Sequence, residues 1–516
     1  SKYHDKNTKI GKAQIDSFLN EVGKKYYAEG LIVTTTDQWT KNADEALKDR
    51  DKPIMRISLS QLKESQINWS RFSFSEPEEV ELQEKKTPRP HQIPAIENVV
   101  EGFKNADRGK LIMAPGTGKT FTSMAIAEKM AAQSDGTFKV LYLVPSIQLL
   151  SQTLRAWNAD INYEMDSIAV CSDRKVTKQS LGTELEDIAT TDIGFPATTN
   201  SRKLLEYQET IEKKHVQPEF ITVFSTYQSI DVIIEAQKNG FYEFDLVICD
   251  EAHRTTGATE AGQEGSAFTK VHSNNNIKVK KRLYQTATPR VYGEDAKRKA
   301  EEKSVIIADM NDPEIYGEEF HRIGFGEAVR RGILTDYKVM VLAVDEEVIA
   351  RRFQDMFSKT ESGLQFDDVT KIVGCWNGLV KRDGETNKTL GQPMKRAIAF
   401  TGTIKDSKLI TEMLQTVVDE YLYKDGNSPN NQFRIDIQHA DGTMNAVEKN
   451  EKIDWLKSEI PENTCRVLSN ARFLTEGVDV PDLDAVMFLK PRRSEIDIAQ
   501  AVGRVMRKAP GKDYGY

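Results

Sequence analysis

The chain has 516 residues, 39% hydrophobic and 29% charged, an ordinary globular composition too long for one core, so about three domains are expected. A formal charge of −8 argues against a protein that coats nucleic acid through a broad basic face, although a motor can hold phosphates with a few loops and helix N-termini. No apolar run reaches the roughly 18 residues of a membrane span, no signal peptide is evident, and four scattered cysteines (Cys171, Cys249, Cys375, Cys465) fit neither a disulfide framework nor a zinc site, so a cytoplasmic setting is expected.

Along residues 1–74 short helical and strand patterns alternate. Ile15, Phe18, Leu19 and Val22 recur at helical spacing within Lys12–Lys24, and Leu31–Thr35 reads as a buried strand. A second short helix over Asn42–Leu47 and a second strand over Ile54–Leu59 follow. Residues 75–88 are acidic, then rich in Lys and Pro, with no apolar period, and read as a linker. From Arg89 the pattern becomes strand, loop, helix, repeated, the mark of a parallel sheet wrapped by helices. Expected strands are Leu111–Ala114, Val140–Val144, Ile221–Phe224, Leu246–Cys249 and Leu283–Thr286, then a second set at Lys338–Val344, Ala397–Phe400, Arg434–His439, Arg466–Ser469 and Ala485–Leu489. Two α/β lobes are predicted, over 89–326 and 327–516. The chain lacks an initial Met, and one more strand is expected beyond Tyr516, so both ends read as cut.

Chemistry concentrates in two places in the first lobe. Ala114-Pro115-Gly116-Thr117-Gly118-Lys119-Thr120 follows a strand and opens a helix. Small residues there let backbone N–H groups approach a triphosphate, Lys119 meets the β/γ charge, and the Thr120 hydroxyl suits Mg²⁺. A plain glycine turn entering a helix is the bland alternative. Asp250-Glu251-Ala252-His253 ends the strand Leu246–Cys249. An aspartate so placed reaches the magnesium shell, and the following glutamate can orient or deprotonate the attacking water. His253 has no partner at metal-ligand spacing and is expected to couple the ATP site to the rest of the lobe.

With these motifs the chain resembles superfamily 2 helicases, including the narrower P-loop variant in which Met113 stands where the general pattern has Gly. Thr286-Ala287-Thr288-Pro289 looks like the family's motif III. Thr475-Glu476-Gly477-Val478-Asp479-Val480-Pro481 resembles motif V, and Gln500 with Ala501–Arg507 resembles motif VI. The resemblance implies two RecA-like lobes, ATP and Mg²⁺ as cofactors, and arginine fingers at Arg504 and Arg507. It also implies ribose and phosphate contacts near Gly477 and Asp479, and an adenine reader at Gln92 within Arg89-Pro90-His91-Gln92. The segments at Ser146, Thr226 and Thr401, resembling motifs Ia, Ib and IV, together with Thr475, imply sequence-blind nucleic-acid contacts. Each of the first three also reads as a helix cap.

Residues 2–74 resemble the later half of an Mrr-like PD-(D/E)xK nuclease domain. The similar stretches are Gly11–Phe18, Gly30–Thr36, Trp39–Ala43 and Pro53–Leu62, ending in Asn68-Trp69. Lys2 falls where that fold keeps its catalytic lysine, the alternative being a solvated chain-start lysine, and the metal-binding acids are expected upstream of Ser1. A nuclease-like α/β domain joined to such a motor is similar to the plan of Type ISP restriction–modification enzymes. That resemblance implies translocation on duplex DNA coupled to cleavage, with methyltransferase (hence S-adenosylmethionine) and target-recognition domains following in the same polypeptide. An RNA helicase or DNA remodeller with a non-catalytic N-terminal domain, and an ATP-gated binding switch, are the competing readings.

Overall fold

The computed structural model describes residues 8–36, 38–47, 52, 54–63, 65–171, 197–260, 266–292, 305–340, 347, 366–381, 391–423, 433–441, 444, 446–471, 480, 482–490 and 494–516. One compact unit takes most of the chain up to Ile323 and a second takes Gly324–Tyr516.

Residues 8–63 build a small core. Ile15, Leu19 and Val22 line one face of the helix Lys12–Val22 and pack with Ala43 and Leu47 of the helix Lys41–Leu47 and with Ile54. Strands β1 (Gly30–Val33) and β2 (Ile54–Ile57) pair in parallel. The strand expected to reach Leu59 stops at Ile57 because Ser58 and Gln61 cap one another. The Gln61 N–H donates to Ser58 Oγ at 3.2 Å and the Ser58 N–H to Gln61 Oε1 at 3.0 Å, which starts the short helix Leu59–Lys63. Residues 75–88 hold no helix, but they are pinned: Lys86 Nζ lies 2.7 Å from Asp160 Oδ2, and the Lys86 N–H donates to Asp160 Oδ1 at 3.1 Å.

The first lobe contributes β3 (Arg108–Met113), β4 (Phe138–Val144), β5 (Met165–Val170), β6 (Ala197–Thr198), β7 (Phe220–Thr226), β8 (Phe244–Cys249), β9 (Gly257–Glu260), β10 (Val279–Thr286), β11 (Val305–Ala308) and β12 (Glu318–Ile323). Eight of them form one sheet in the order β12-β3-β10-β8-β4-β7-β5-β6, every pair parallel, while β9 and β11 form a separate antiparallel pair. The central strands are apolar on both faces because helices cover both; Leu141, Leu143, Val223 and Val247 are fully buried. A parallel sheet gathers its strand C-termini, and the loops after them, along one edge.

In the second unit β14 (Arg396–Phe400), β15 (Arg434–Asp441), β16 (Thr464–Ala471) and β17 (Ala485–Phe488) form a parallel sheet in the order β15-β16-β14-β17. The helices Phe366–Leu379 and Ile404–Tyr423 bury Val373, Trp376, Leu414 and Val417 against it. The strand expected over Lys338–Val344 is displaced. The pairing that forms is between β13 (Asp336–Tyr337) and β18 (Tyr514–Gly515), residues 338–340 hold no strand, and 341–344 lie outside the described residues.

One packing detail fixes the strand that leads into the glycine loop. Phe320 of β12 lies against Gly102 of the helix Gln92–Asn105 and Gly109 of β3, where a Cβ at either glycine would overlap its ring; the ring also meets Phe103 edge-on, 5.1 Å between centroids. Gly109→Ala is expected to destabilise the first unit by about 1–3 kcal/mol through overpacking. Thermal unfolding should show the loss, and adding Phe320→Leu should recover part of it.

Candidate functional site

β3, next to the edge strand β12, ends at the buried Met113, and the chain turns through Ala114–Gly118 into the helix Lys119–Ala131. Gly116 and Gly118 have φ of 81° and 90°, a left-handed backbone that glycine adopts without steric cost. Thr117 tightens the turn by donating its hydroxyl to the Ala114 carbonyl at 2.6 Å, and Lys119 Nζ folds back to 3.4 Å from the Met113 carbonyl. Thr120 sits half-buried in the first turn of the helix.

Gln92, 3% exposed, braces this loop from behind. Its Oε1 accepts from the Arg89 N–H at 2.8 Å, and its Nε2 donates to the Gly118 carbonyl and to Thr122 Oγ1, each at 3.1 Å. The residue expected to read adenine is therefore also a strut of the phosphate loop, a role its spacing did not reveal.

The acidic pair stands at the C-terminal end of β8, two strands from β3 across β10. Asp250 is 5% exposed; its Oδ1 accepts the Glu251 N–H at 2.9 Å and its Oδ2 lies 3.4 Å from the Tyr142 hydroxyl. Burial, and next the neighbouring Glu251 charge, push the Asp250 carboxyl up to about 6. Glu251 moves the other way: burial opposes its ionisation, but the Lys119 charge and His253 outweigh it and hold the carboxyl below the ordinary range. Its Oε2 is buried, 3.3 Å from His253 Nδ1, and has no other hydrogen-bond partner among the described residues. A buried carboxylate facing a lysine and a second acid with an open acceptor suit a divalent cation and a water, which fits Mg²⁺ held by one carboxylate, a hydroxyl and substrate phosphates.

The backbone of Glu251 is left-handed, φ 47° and ψ 48°. Around it the Tyr227 hydroxyl donates to the Asp250 carbonyl at 2.8 Å, and the Asp250 N–H donates to Leu143 O at 2.9 Å. Beyond it, in the 3₁₀ turn Ala252–Thr255, Thr255 Oγ1 donates to Ala252 O at 2.7 Å and lies 3.0 Å from the Tyr316 hydroxyl. His272 closes the far side, with Nε2 at 3.0 Å from Thr255 O and Nδ1 at 2.9 Å from the Tyr284 hydroxyl. His253 Nδ1 lies 3.0 Å from Thr286 Oγ1 and 3.3 Å from Glu251 Oε2, so the acidic segment and the Thr286–Thr288 segment share one buried histidine. Of these, Tyr142, His272, Tyr284 and Tyr316 carry no motif signal; Tyr227 follows Thr226 in the segment resembling motif Ib, but its contact with the acidic pair is legible only in three dimensions.

The hydroxyls expected to touch nucleic acid are engaged within the protein. Ser146 caps the helix Ile147–Asp160, accepting from the Leu149 N–H at 3.3 Å. Thr226, 4% exposed, donates to Ser229 Oγ at 3.1 Å, and Thr401, 3% exposed, donates to Asn470 O at 3.1 Å. Gln228 Nε2 donates to Pro145 O at 3.0 Å, tying the loop after β7 to the loop after β4. In the second unit Arg504 is 8% exposed on the helix Glu495–Val505, and burial holds Arg507 below the usual guanidinium range. The Thr335 N–H donates to Met506 O at 2.7 Å, anchoring the end of that helix within the unit. Lys2, Thr475, Gly477 and Asp479 lie outside the described residues.

Comparisons with known proteins follow the same division. Residues 85–291 match the family described as Type III restriction enzyme, res subunit; residues 1–79 match an Mrr-type restriction endonuclease family; residues 386–509 match the helicase conserved C-terminal domain. The chain is 26% identical over 426 residues to the probable helicase A859L of African swine fever virus, covering 83% of this chain and 40% of that protein. It is 22% identical over 438 residues to the endonuclease subunit of the Type I restriction enzyme EcoAI of Escherichia coli, covering 82% of this chain and 44% of that one. Among solved structures, the ATP-dependent Type ISP restriction–modification enzyme LlaBIII, bound to DNA, aligns over 100% of this chain and 33% of its own, with a TM-score of 0.87 and 53% identity. A nuclease-deletion mutant of the Type ISP enzyme LlaGI, in complex with a DNA substrate mimic, aligns over 83% of this chain and 26% of its own, with a TM-score of 0.58 and 44% identity. The chain thus spans less than half the length of these relatives. The α/β architecture, two RecA-like lobes after a restriction-endonuclease-like segment, and the likeness to Type ISP enzymes hold as the sequence implied.

Two glycines with the same backbone hand separate loop function from loop strain. At Gly118 a Cβ would stand 2.5 Å from Gln92 Nε2, whereas at Gly136, φ 79°, it would meet nothing within 4 Å. Gly118→Ala is expected to weaken ATP binding at least about tenfold, while Gly136→Ala costs about 1 kcal/mol of stability and leaves nucleotide affinity unchanged. Titration with a fluorescent ATP analogue distinguishes the two.

Proposed function

We propose that this chain, built like the nuclease and motor segments of Type ISP restriction–modification enzymes, hydrolyses ATP to drive translocation along duplex DNA and delivers that DNA to an associated endonuclease. The observation that carries the reading is the acidic pair Asp250-Glu251, its aspartate buried, at the end of a parallel strand in the lobe that bears the glycine loop. The competing RNA-helicase and binding-switch readings have no comparable support: the two Type ISP structures the chain resembles hold DNA or a DNA substrate mimic.

In this reading the N–H groups of Gly116–Thr120 cradle the phosphates and Lys119 neutralises the β/γ oxygens. Asp250 and the Thr120 hydroxyl would hold Mg²⁺, which when bound supplies charge neutralisation at the phosphates. Glu251 orients the attacking water and takes its proton as the water oxygen bonds to the γ-phosphorus and the bond to the β-bridging oxygen breaks, leaving ADP and phosphate. Arg504 and Arg507 act as arginine fingers by resemblance, with Gly477 and Asp479 near the ribose and phosphates. Because the hydroxyls of Ser146, Thr226 and Thr401 already serve the fold, DNA phosphates are better met there by backbone N–H groups at the strand ends; Thr475 completes that set by resemblance.

The nuclease assignment rests on residues 1–79, with Lys2 steadying the nucleophile of DNA cleavage. Among the described residues no group of three or more His, Cys, Asp or Glu could hold a metal ion. Methyltransferase and target-recognition domains belong to the same proposal, with S-adenosylmethionine as the methyl donor there. The cytoplasm is the proposed setting: no described helix is long and apolar enough to cross a membrane, and all four cysteines are free and buried.

Lys119→Ala and Glu251→Gln should both abolish ATP turnover, the first by losing nucleotide binding and the second with binding retained. Arg504→Ala should lower kcat on the order of a thousandfold with little change in ATP affinity. Steady-state hydrolysis paired with nucleotide titration checks all three; wild-type turnover by Glu251→Gln would contradict the assignment.

A further inference from the structure

Register places a lysine beside a glycine at the C-terminal edge of the second sheet. β14 and β17 pair with Phe400 opposite Phe488, and those two rings stack at 5.6 Å. The Leu489 N–H donates to Phe400 O at 3.0 Å, which carries the pairing one step past the strand ends. Two residues past the strand ends, Gly402 and Lys490 meet. A Cβ on Gly402 would lie 2.9 Å from Lys490 Nζ and would overlap the aliphatic stem. The glycine is thus a slot through which the lysine lies across the Thr401–Thr403 loop. Lys490 is exposed, and its ammonium makes no hydrogen bond or ion pair among the described residues. In a chain of net charge −8, an unpaired cation held at a strand-end loop by a tailored absence of side chain stands out from ordinary solvated lysines.

We propose that Lys490 is a DNA-phosphate contact of the second lobe and that Gly402 is the residue that positions it. The inference rests on the translocase reading and assigns that function a residue outside the family motifs. The Thr401 hydroxyl is spent on Asn470 O, so the charge this loop offers a phosphate comes from Lys490, beside the start of the helix Ile404–Tyr423. Such a contact is blind to base sequence, as a moving grip must be, and it adds to affinity by releasing condensed counterions.

The test uses the full chain and a non-specific duplex. The DNA concentration that half-saturates ATPase stimulation is measured from about 50 to 200 mM salt. Lys490→Met keeps the stem packed on Gly402 and removes only the charge. It should reduce the slope of log affinity against log salt by about one, weaken half-saturation several-fold and leave DNA-free ATPase unchanged. Lys490→Arg should restore the slope, and Gly402→Ala, which evicts the stem, should reproduce the Met phenotype with Lys490 intact. An unchanged slope for Lys490→Met, in a protein whose ATPase duplex DNA stimulates, overturns the assignment of Lys490. A wild-type Gly402→Ala overturns the positioning role. Absence of stimulation in the wild-type protein would instead overturn the translocase reading itself.

Discussion

The arrangement depends on one backbone constraint: Glu251 is held in a left-handed conformation that a residue with a Cβ avoids. That geometry costs about 1–3 kcal/mol and persists only where the surroundings over-determine it. Here they do so with buried polar contacts on both sides of the turn. Tyr227 fixes the carbonyl before it, Thr255 and Tyr316 fix the 3₁₀ turn after it, and His272 fixes the last carbonyl of that turn. Because a carbonyl only accepts, His272 must donate from Nε2, and burial lowers its pKa to about 4, so the ring is neutral and Nδ1 accepts from Tyr284. The strain thereby aims the glutamate into the same space as Lys119 and turns its other contact, His253, toward Thr286.

That constraint also explains what could be read in advance. The glycine loop, the acidic tetrapeptide and the lobe architecture were legible because each is a local pattern: small residues between strand and helix, acids at a strand end, apolar runs at regular intervals. The buried clamp was not, since Tyr142, Tyr227, His272, Tyr284 and Tyr316 come from five separate stretches and read as ordinary core. Strand starts were missed for a related reason. β3 and β10 begin with Arg108-Gly109-Lys110 and Val279-Lys280-Lys281-Arg282, polar to the eye, yet Arg282 is 1% exposed and donates to Val271 O and Ile277 O, and Lys281 donates to Phe103 O and Ala106 O. Edge strand β12, Glu318–Ile323, is half-exposed and mostly polar, with only Phe320 and Ile323 apolar, so it carries little signal of a strand.

Hydroxyl residues after strands illustrate the opposite lesson. Ser146, Thr226 and Thr401 are expected from resemblance to touch nucleic acid, but each side chain is used to shape its own loop. The chemistry that remains for a phosphate is backbone N–H and a few placed cations. Under the proposed translocase reading, this would reconcile an acidic chain with a nucleic-acid track: grip would come from a small number of positions set by the sheet register, and net charge says little about it. The pinning of Lys86 onto Asp160, at the end of the helix that Ser146 caps, likewise ties the segment after the restriction-endonuclease-like residues to an element of the first lobe.

The central claim is directional movement on duplex DNA powered by the Glu251 site, and displacement of a triplex-forming third strand tests it most directly. The protein should release a labelled third strand from duplex DNA in the presence of ATP, with a lag that lengthens as the triplex is set farther from the loading end. Glu251→Gln should release none. Release without ATP, or ATP hydrolysis stimulated by duplex DNA with no third-strand release at any distance, would contradict the claim and leave an ATP-gated binding switch in its place.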